Sequence, residues 1–228
     1  MKTNVSIAGN IKSSRAGTYL PLLGLLAIPI INILYFLQNH GGDHVQSLVT
    51  EVDRNTPFIP AFSVPYLLWY PFLLLVFVLI VRKDKREYYR TLLAFCTGLL
   101  LSNVIYLMFQ TTVPRPEVDS TGFFNNLVMF VYEGDEPYNC FPSIHVMTSM
   151  LMILGSRALG WRMRVPIFIF ACSIIASTLF IKQHVIADVF AGILLAKFVF
   201  WLAGYLISIF RKRTMAEKAG RTRYANYE

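Results

Sequence analysis

The sequence predicts an all-α protein: a polytopic membrane helical bundle of six transmembrane helices with a short interfacial helix. Hydrophobic residues make up 55% of its 228 residues, and its mean hydropathy is +0.52. Several uninterrupted apolar runs approach the roughly 20 residues that a helix needs to cross a bilayer. Lysines and arginines collect at the ends of these runs. This placement excludes an ordinary soluble domain and assigns the net charge of +8 to membrane flanks rather than to nucleic-acid binding.

Six apolar runs are predicted to span the membrane, and each is bounded by polar or charged residues. They cover approximately 18–37, 63–81, 91–109, 143–159, 165–181 and 185–210. Basic residues precede the first run, but it is long and no small-residue cleavage site follows it, so it is expected to remain as an anchor. The chain is therefore divided into a cytoplasmic segment (1–17), a membrane domain (18–210) and a basic cytoplasmic tail (211–228). The tail is expected to be disordered and to favour anionic headgroups.

The first loop, over 38–62, contains the pattern of a short amphipathic helix. Apolar residues recur there at i, i+3, i+4 and i+7: Val45, Leu48, Val49 and Val52. The segment is too short to span a bilayer, so the predicted helix lies at the interface and ends at Pro57 and Pro60. The stretch over 110–142 is interpreted as a long loop.

The distribution of basic residues predicts the orientation in the membrane. With the N-terminus in the cytoplasm, 17 of the 21 lysines and arginines fall in cytoplasmic segments. Only Arg54, Arg115 and Lys182 fall in outer segments, and Lys197 lies within the sixth run. Positively charged loops are retained on the cytoplasmic side. Both termini are therefore expected in the cytoplasm, and the loops after the first, third and fifth runs are expected on the extracytoplasmic side of the cell membrane.

Two of the outer segments carry residues suited to phosphate chemistry. Arg115 lies between two prolines after the third run, and an arginine presents a planar fork of donors that matches phosphate oxygens. Ser143 and His145 follow Pro142 where the fourth run begins. A helix start favours anions because its first N–H groups lack partners. Each segment also has a structural interpretation, as an interfacial arginine and as a helix cap followed by a structural histidine.

The third outer segment carries a histidine and an acid one helical turn apart. Lys182 and His184 precede the sixth run, and Asp188 lies four residues after the histidine. A carboxylate that holds one imidazole nitrogen fixes the tautomer and leaves the other nitrogen free to attack. The structural alternative is an interfacial pair in which the two side chains satisfy each other. An acid this far into a span is costly without a partner.

The order, spacing and shared side of these segments resemble the type 2 phosphatidic acid phosphatase superfamily. The resemblance rests on Arg-Pro, then Pro-Ser-x-His, then a basic residue followed by His-x-x-x-Asp, and it covers approximately 60–190. This superfamily includes lipid phosphate phosphatases, undecaprenyl-diphosphate phosphatases, one class of phosphatidylglycerophosphatases and inositol phosphorylceramide synthases. The resemblance implies a membrane enzyme that acts on a phosphorylated lipid.

The resemblance also implies a role for each residue. His184 resembles the nucleophile that takes the phosphoryl group as a phosphohistidine, and Asp188 resembles the carboxylate that orients it. His145 resembles the acid that protonates the leaving oxygen. The implied phosphate ligands are Arg115, Ser143 and Lys182. Fixed positive groups and N–H donors suit the spread negative charge of a transferring phosphoryl group, and no cofactor or metal ion is expected.

Two positions depart from the usual pattern of the superfamily. Its first motif has a lysine seven residues before the arginine, where this chain has Met108. Its third motif has Ser-Arg where this chain has Ser177-Thr178, and Lys182 is the nearby basic residue instead. These features are closest to the inositol phosphorylceramide synthase-like branch.

Three further groups have both functional and structural interpretations. A lysine at the middle of a span indicates a functional site by default, but Lys197 is better explained by reaching toward the interface or by pairing with Ser102 or Asn103. A metal site in the first outer loop has no support beyond its residue types: His40, Asp43 and His44. An interfacial aromatic belt is predicted, with a lining for the path of the lipid as the alternative: Tyr66, Trp69 and Tyr70.

The predicted function is hydrolysis of a phosphomonoester or diphosphate lipid at the extracytoplasmic face, through a phosphohistidine. The candidate substrates are phosphatidate, phosphatidylglycerophosphate and polyprenyl diphosphate. A phosphotransferase that moves a headgroup to an alcohol acceptor uses the same residues and is the first alternative. A non-catalytic lipid-binding or carrier protein is the second, although binding alone does not require two histidines and an acid.

Overall fold

The described part of the chain is almost entirely helical, which confirms the predicted all-α class. The structure is a computed structural model that describes residues 19–42 and 44–225, with side chains described as far as 212 and at 214. The predicted cytoplasmic segment 1–17 lies outside the described residues. The helices are α1 (Ala27–Gln38), α2 (Glu51–Asn55), α3 (Ser63–Leu67), α4 (Trp69–Lys83), α5 (Lys85–Met108), α6 (Phe123–Gly134), α7 (Ile144–Gly155), α8 (Trp161–Phe180) and α9 (Ile186–Ala225). Short 3₁₀ segments lie at Leu20–Leu26, Pro60–Phe62 and Ser156–Ala158.

Five helical segments are long and apolar enough to cross a membrane, so the chain is a multi-pass membrane protein. They are Leu20–Gln38, Pro60–Lys83, Lys85–Met108, Trp161–Phe180 and Ile186–Lys212. They correspond to the first, second, third, fifth and sixth predicted runs. The polytopic bundle is thus confirmed, whereas the count of six spans stays a prediction because the run over 143–159 forms a shorter helix.

That shorter helix, α7, is the centre of the bundle. Its 12 residues extend about 18 Å, and it packs against α4, α5, α8 and α9. Ten of the 12 residues are buried, so neighbouring helices shield α7 from lipid. Glycine makes this packing possible on α5, because a Cβ on Gly98 would lie 2.6 Å from the sulfur of Met147.

The first outer loop does contain a short helix, but the predicted position is wrong. Gln46–Ser47 forms β1, and the helix begins only at Glu51, after Thr50. Thr50 and Asp53 cap it reciprocally, each side chain accepting from the other residue's backbone N–H. This cap fixes the start of α2 at Glu51, six residues after Val45, so Val52 alone of the expected apolar stripe lies in the helix.

The stretch over 110–142 was predicted to be a long loop, and it instead contains two ordered elements. Thr111–Thr112 forms β2, which pairs in parallel with β1. Farther along, α6 buries Val128 and Val131 on one face. Both valines pack with Tyr66 and Ile181 in a small apolar cluster, so burial of that face explains why the segment is helical.

The basic tail is helical as far as the structure describes it, so the prediction of disorder is wrong for 211–225. It continues α9, whose 40 residues form one uninterrupted helix. Its sequence explains this result, since Met, Ala, Glu, Lys and Arg all favour helix.

Lys197, within α9, has an exposed side chain, whereas Asn103, one of its suggested partners, donates to the Leu99 carbonyl oxygen and accepts from Gln38. The described contacts therefore favour the interfacial interpretation of Lys197.

The three predicted outer loops meet at one end of the bundle. Ile59 N–H donates to the Phe180 carbonyl oxygen at 2.9 Å, which joins the first loop to the end of α8. The paired strands β1 and β2 join the first loop to the second. These contacts place the segments that carry Arg115, Ser143 and Lys182 beside one another.

Candidate active site

The first turns of α7 and α9, with the two residues that precede α9, bring the predicted catalytic residues together. Ser143 N–H donates to the Asp188 carbonyl oxygen at 3.3 Å, so the two helix starts are joined through their backbones. Gly192 allows this approach, because a Cβ there would lie 2.8 Å from the Ser143 carbonyl oxygen. The Ser143 hydroxyl is buried and caps α7 by accepting from Val146 N–H at 3.3 Å. The serine thus lies at the helix start where the sequence predicted it.

His184 is held in one tautomer by two acceptors. Its Nδ1 lies 3.1 Å from the Cys140 carbonyl oxygen and 3.3 Å from Asp188 Oδ2. A carbonyl oxygen can only accept, so Nδ1 carries the proton and Nε2 keeps its lone pair. Asp188 is fully buried, and its Oδ2 also accepts from Val185 N–H at 3.0 Å. The arrangement leaves one imidazole nitrogen available as a nucleophile.

His145 lies in the first turn of α7 between two aromatic rings. Its ring centroid is 4.1 Å from that of Trp69 and 4.5 Å from that of Tyr66. Trp69 is itself fixed, because its indole N–H donates to Thr148 Oγ1 at 2.9 Å. Tyr66 and Trp69 are buried, so their predicted place in an interfacial belt is wrong, whereas Tyr70 is 55% exposed. The two buried rings set the orientation of the histidine instead.

The two histidines open into different cavities. Their ring centroids are 5.9 Å apart. His184 lines a cavity of about 500 Å³, called here the cationic cavity, whose charged lining residues are Asp53, Arg54, Arg115 and Lys182. His145 lines a cavity of about 360 Å³, called here the alcohol cavity, between α1, α3, α4, α6 and α7. A group bound between the two rings can thus be approached by a different histidine from each side.

Arg115 reaches the cationic cavity while its guanidinium is held by neutral acceptors. It donates to the Tyr132 carbonyl oxygen at 3.2 Å, the Asp135 carbonyl oxygen at 2.6 Å and Gln183 Oε1 at 2.5 Å. The guanidinium also stacks 4.4 Å from the centre of the Tyr132 ring. These bonds fix its position without neutralising its charge, so the cavity keeps a positive potential.

Lys182 is held in a similar way on the other wall of this cavity. Its ammonium donates to the carbonyl oxygen of Asp53 at 2.8 Å and to that of Thr56. Burial lowers the pKa of Lys182, and the charge of Asp53 opposes that change. The predicted ligand therefore lies in the cavity, but its donors are shared with the backbone of the first outer loop.

Comparison with protein families decides which family this arrangement represents. The family model described as the PAP2 superfamily matches residues 32–202. The chain belongs to the PAP2 superfamily. Searches of curated proteins and of solved structures found no match. The matched range contains all six predicted site residues and confirms the resemblance seen in the sequence, while the branch within the superfamily stays a prediction. Membership makes the chain a membrane enzyme of the lipid phosphatase and phosphotransferase type.

Sequence reasoning missed Asp53 in this PAP2 site. Its Oδ1 accepts from Ile186 N–H, the first residue of α9, at 2.8 Å. Its Oδ2 accepts from the backbone and hydroxyl of Thr50. Burial raises the pKa of Asp53, but the hydrogen bonds from Thr50 and Ile186 outweigh burial and hold that pKa below its ordinary value. The Thr-x-x-Asp spacing indicates the local cap, but no sequence signal indicates the bond to Ile186.

Two other residues of the site were also missed. Gln183 is buried and accepts from Arg115, which links the second outer loop to the third. The Asp135 carboxylate lines the alcohol cavity together with His145. The sequence shows Asp135 only as one of several acids in a stretch taken for a loop, so its position depended on the unexpected helix α6.

One group of possible metal ligands lies within the site. The ligand atoms of Cys140, His184 and Asp188 all lie within 4.8 Å of one another. Metals bind a thiolate, and burial raises the pKa of the Cys140 thiol well above its ordinary value. The protonated Nδ1 of His184 is already bonded to Asp188, so the trio fits an oriented nucleophile better than a metal centre. The other suggested metal site includes Asp43, which lies outside the described residues.

Proposed function

We propose that this chain is a lipid phosphate phosphatase that works through a phosphohistidine and without a metal ion. The observation that carries the proposal is the state of His184. Its Nδ1 is committed to Asp188 and the Cys140 carbonyl oxygen, which leaves the Nε2 lone pair free near His145. A nucleophile oriented by a third group, with a second proton carrier nearby, is the arrangement that covalent catalysis requires.

The reaction follows from that geometry in two displacements. His184 Nε2 attacks phosphorus, the bond from phosphorus to the lipid oxygen breaks, and His145, whose protonated form is stabilised by the negative charge of the bound phosphate, gives its proton to that oxygen. His145, now neutral, then takes a proton from water, whose oxygen attacks the phosphohistidine and releases inorganic phosphate. His184 returns to its starting form, and His145 is again protonated.

The phosphate is proposed to bind in the cationic cavity, which Arg115 and Lys182 line, with Ser143 as the predicted ligand from the neighbouring start of α7. Arg54 is proposed as a further ligand that replaces the usual first-motif lysine. Met108, at the corresponding position, is 82% exposed at the end of α5. The Arg54 side chain is 67% exposed and makes one ion pair, a 3.6 Å contact with Glu51. A surface ion pair of this kind contributes little, so the guanidinium can turn to a phosphate at small cost.

The site is proposed to face the extracytoplasmic side of the cell membrane. The cationic cavity is built from the loops that the basic-residue distribution places outside, and the termini are then cytoplasmic. The lipid reaches the site laterally from the bilayer, with its phosphate toward Arg115 and its chains among the helices.

Phosphate release from a panel of lipids tests the proposal. Detergent-purified protein is given phosphatidate, phosphatidylglycerophosphate or polyprenyl diphosphate, with and without inositol or glycerol. We expect inorganic phosphate and an acid-labile, base-stable phosphoprotein that is lost in His184→Ala. The proposal fails if no lipid is turned over and no phosphohistidine can be trapped, which is the result that a carrier protein would give.

A phosphotransferase is the second candidate, and the alcohol cavity is the observation that favours it. An acceptor alcohol bound there lies beside His145, the residue that would take its proton. In the same assay a transferase would give a new phosphodiester in the presence of an alcohol and little inorganic phosphate.

A further inference from the structure

The alcohol cavity carries acceptor groups and is lined by one acid, Asp135. Its polar lining includes Asn32, the Asp135 carboxylate and His145, and the remaining residues are mostly aromatic or aliphatic. No lysine or arginine is among its lining residues in the described part of the chain. A negative charge beside a phosphate site is unfavourable for a second phosphate but favourable for a group that donates a hydrogen bond.

Asp135 has capacity for one more donor. Its Oδ1 accepts from the Tyr35 hydroxyl at 2.7 Å and from Asn39 Nδ2 at 2.9 Å. Its Oδ2 accepts from the Tyr66 hydroxyl at a longer 3.3 Å. A carboxylate offers about four acceptor positions, so three donors leave one position on Oδ2.

Asn32 adds a second acceptor on α1. Its side-chain oxygen is buried and has no hydrogen-bond partner in the described structure. A buried polar atom without a partner costs about 1–3 kcal/mol, and a ligand that donates to it recovers that cost. Asn32 and Asp135 line the same cavity from opposite elements, α1 and the end of α6.

The position of the alcohol cavity beside His145 relates it to the alcohol part of the substrate. His145 lines it, and in the proposed reaction His145 protonates the oxygen that leaves. The alcohol part of the lipid is therefore in the alcohol cavity, while its phosphate is in the cationic cavity on the side of His184. Asp135 lines the same cavity as His145, so an alcohol held there meets this carboxylate.

We propose that the alcohol cavity selects phosphorylated lipids whose alcohol carries a free hydroxyl close to the scissile phosphate. That hydroxyl donates to Asp135 Oδ2, with Asn32 as a further acceptor. This inference rests on the proposed function. Among the candidate substrates it favours phosphatidylglycerophosphate, which has such a hydroxyl. It disfavours phosphatidate, which has none, and polyprenyl diphosphate, which also brings a second phosphate toward the carboxylate.

A matched pair of substrates tests the selection without any variant. The pair is 1-acyl-lysophosphatidate, which has a free hydroxyl beside the phosphate ester, and its 2-deoxy analogue. We expect kcat/KM of the wild-type protein to be about tenfold or more higher for the hydroxyl substrate, because a site built to bind a hydroxyl rejects an analogue that lacks it. Equal values for the pair would overturn the proposal.

Two variants assign the selection to Asp135. In Asp135→Asn the ratio of kcat/KM for the hydroxyl substrate to kcat/KM for its 2-deoxy analogue should fall toward one. Glu133→Gln, which changes an exposed neighbour on α6, should keep the wild-type ratio. A ratio unchanged in Asp135→Asn would remove the assignment. If Asp135→Asn does not fold, the ratio measured with the wild-type protein alone decides whether the cavity selects a hydroxyl.

A binding measurement separates this proposal from the proposed function. Both lipids are made to compete with a fluorescent lysophosphatidate for the detergent-purified protein. If neither is hydrolysed, the phosphatase proposal fails. A preference in affinity for the hydroxyl lipid would still support the selection, and equal affinities would overturn it.

Discussion

His145 lies in the first turn of α7 and His184 lies two residues before the start of α9, with their ring centroids 5.9 Å apart, and each histidine lines a different cavity. This relationship divides the proposed reaction in space. The nucleophile lies with the basic residues that attract phosphate, and the acid lies with the groups that surround the alcohol.

Removing the acid should matter only when the leaving group needs a proton. We expect His145→Ala to lower kcat on a lipid phosphate by about 10²–10⁴, the range that general acid catalysis contributes. The loss should be much smaller on para-nitrophenyl phosphate, whose leaving group is stable as an anion. His184→Ala should abolish turnover of both substrates. Equal losses on the two substrates in His145→Ala would show that His145 is not the acid.

Gly192 should be needed for the spacing of the two helix starts. A Cβ in Gly192→Ala would lie 2.8 Å from the Ser143 carbonyl oxygen and 3.1 Å from Val146 Cβ. Overpacking of this kind costs about 1–3 kcal/mol, which corresponds to about 2–4 °C in Tm for each kcal/mol in a chain of this size. The Tm and the kcat of Gly192→Ala should both be lower than those of the wild type. Gly160→Ala is the control, because a Cβ at Gly160 contacts nothing within 4 Å.

Asp53 should stabilise the site in a way that depends on pH. Its pKa lies below the ordinary value in the folded protein, so its contribution is complete above about pH 4 and is lost as pH falls through the folded pKa. At neutral pH, Asp53→Asn weakens bonds to Thr50 and Ile186 that contribute about 1.5–3 kcal/mol each when the acceptor is charged. The difference in Tm between wild type and Asp53→Asn should therefore shrink below about pH 4.

The neighbouring acid provides the matched control for Asp53. Glu51 lies on the same short helix, but its side chain is 85% exposed and makes one surface ion pair. Glu51→Gln should change Tm little at any pH. A pH-independent difference for Asp53→Asn would contradict the assigned role of its charge.

Arg54 should contribute to phosphate binding rather than to folding. We expect Arg54→Gln to raise KM for a lipid phosphate and the inhibition constant of vanadate by about tenfold, a loss comparable with one charge-assisted hydrogen bond of about 1.4 kcal/mol. Arg54→Lys should restore part of the affinity. Tm should stay within about 1 °C of wild type because the side chain is exposed. Unchanged KM and vanadate inhibition would remove Arg54 from the site.

The proposed absence of metal chemistry has its own test. Turnover should be unaffected by EDTA, and Cys140→Ser should retain most of the activity because only the backbone carbonyl of Cys140 contacts His184. Activity that is lost on chelation and restored by zinc would instead assign the Cys140, His184 and Asp188 group to a metal.

The proposed reactive residues could be picked out from the sequence because each of them is part of a local pattern. His184 and Asp188 are one helical turn apart, and Ser143 stands at a helix start, so spacing alone places them. Hydropathy predicted six spanning helices, and five of them are long and apolar enough to span in the structure, since a run of about 20 apolar residues is a local property.

The features that the sequence did not predict depend on contacts between distant segments. Asp53 is 133 residues from Ile186, and Arg115 is 68 residues from Gln183, yet each pair is hydrogen-bonded. The stripe from Val45 to Val52 had helical spacing, but the Thr50 cap and the pairing of β1 with β2 determined the backbone. Tyr66 and Trp69 have the composition of an interfacial belt, and only the position of α7 shows that they enclose His145.

The contact between Gly192 and the Ser143 carbonyl oxygen has a consequence for how this protein can change over evolution. The separation of the proposed nucleophile from the proposed acid is constrained by backbone atoms at two helix starts. The walls of the alcohol cavity come largely from other elements, α1, α3, α4 and α6. Substitutions in those walls can therefore alter which lipid fits while the reacting groups keep their geometry. For protein engineering, the walls are the place to seek new substrate preferences, and the two helix starts are the part to leave untouched.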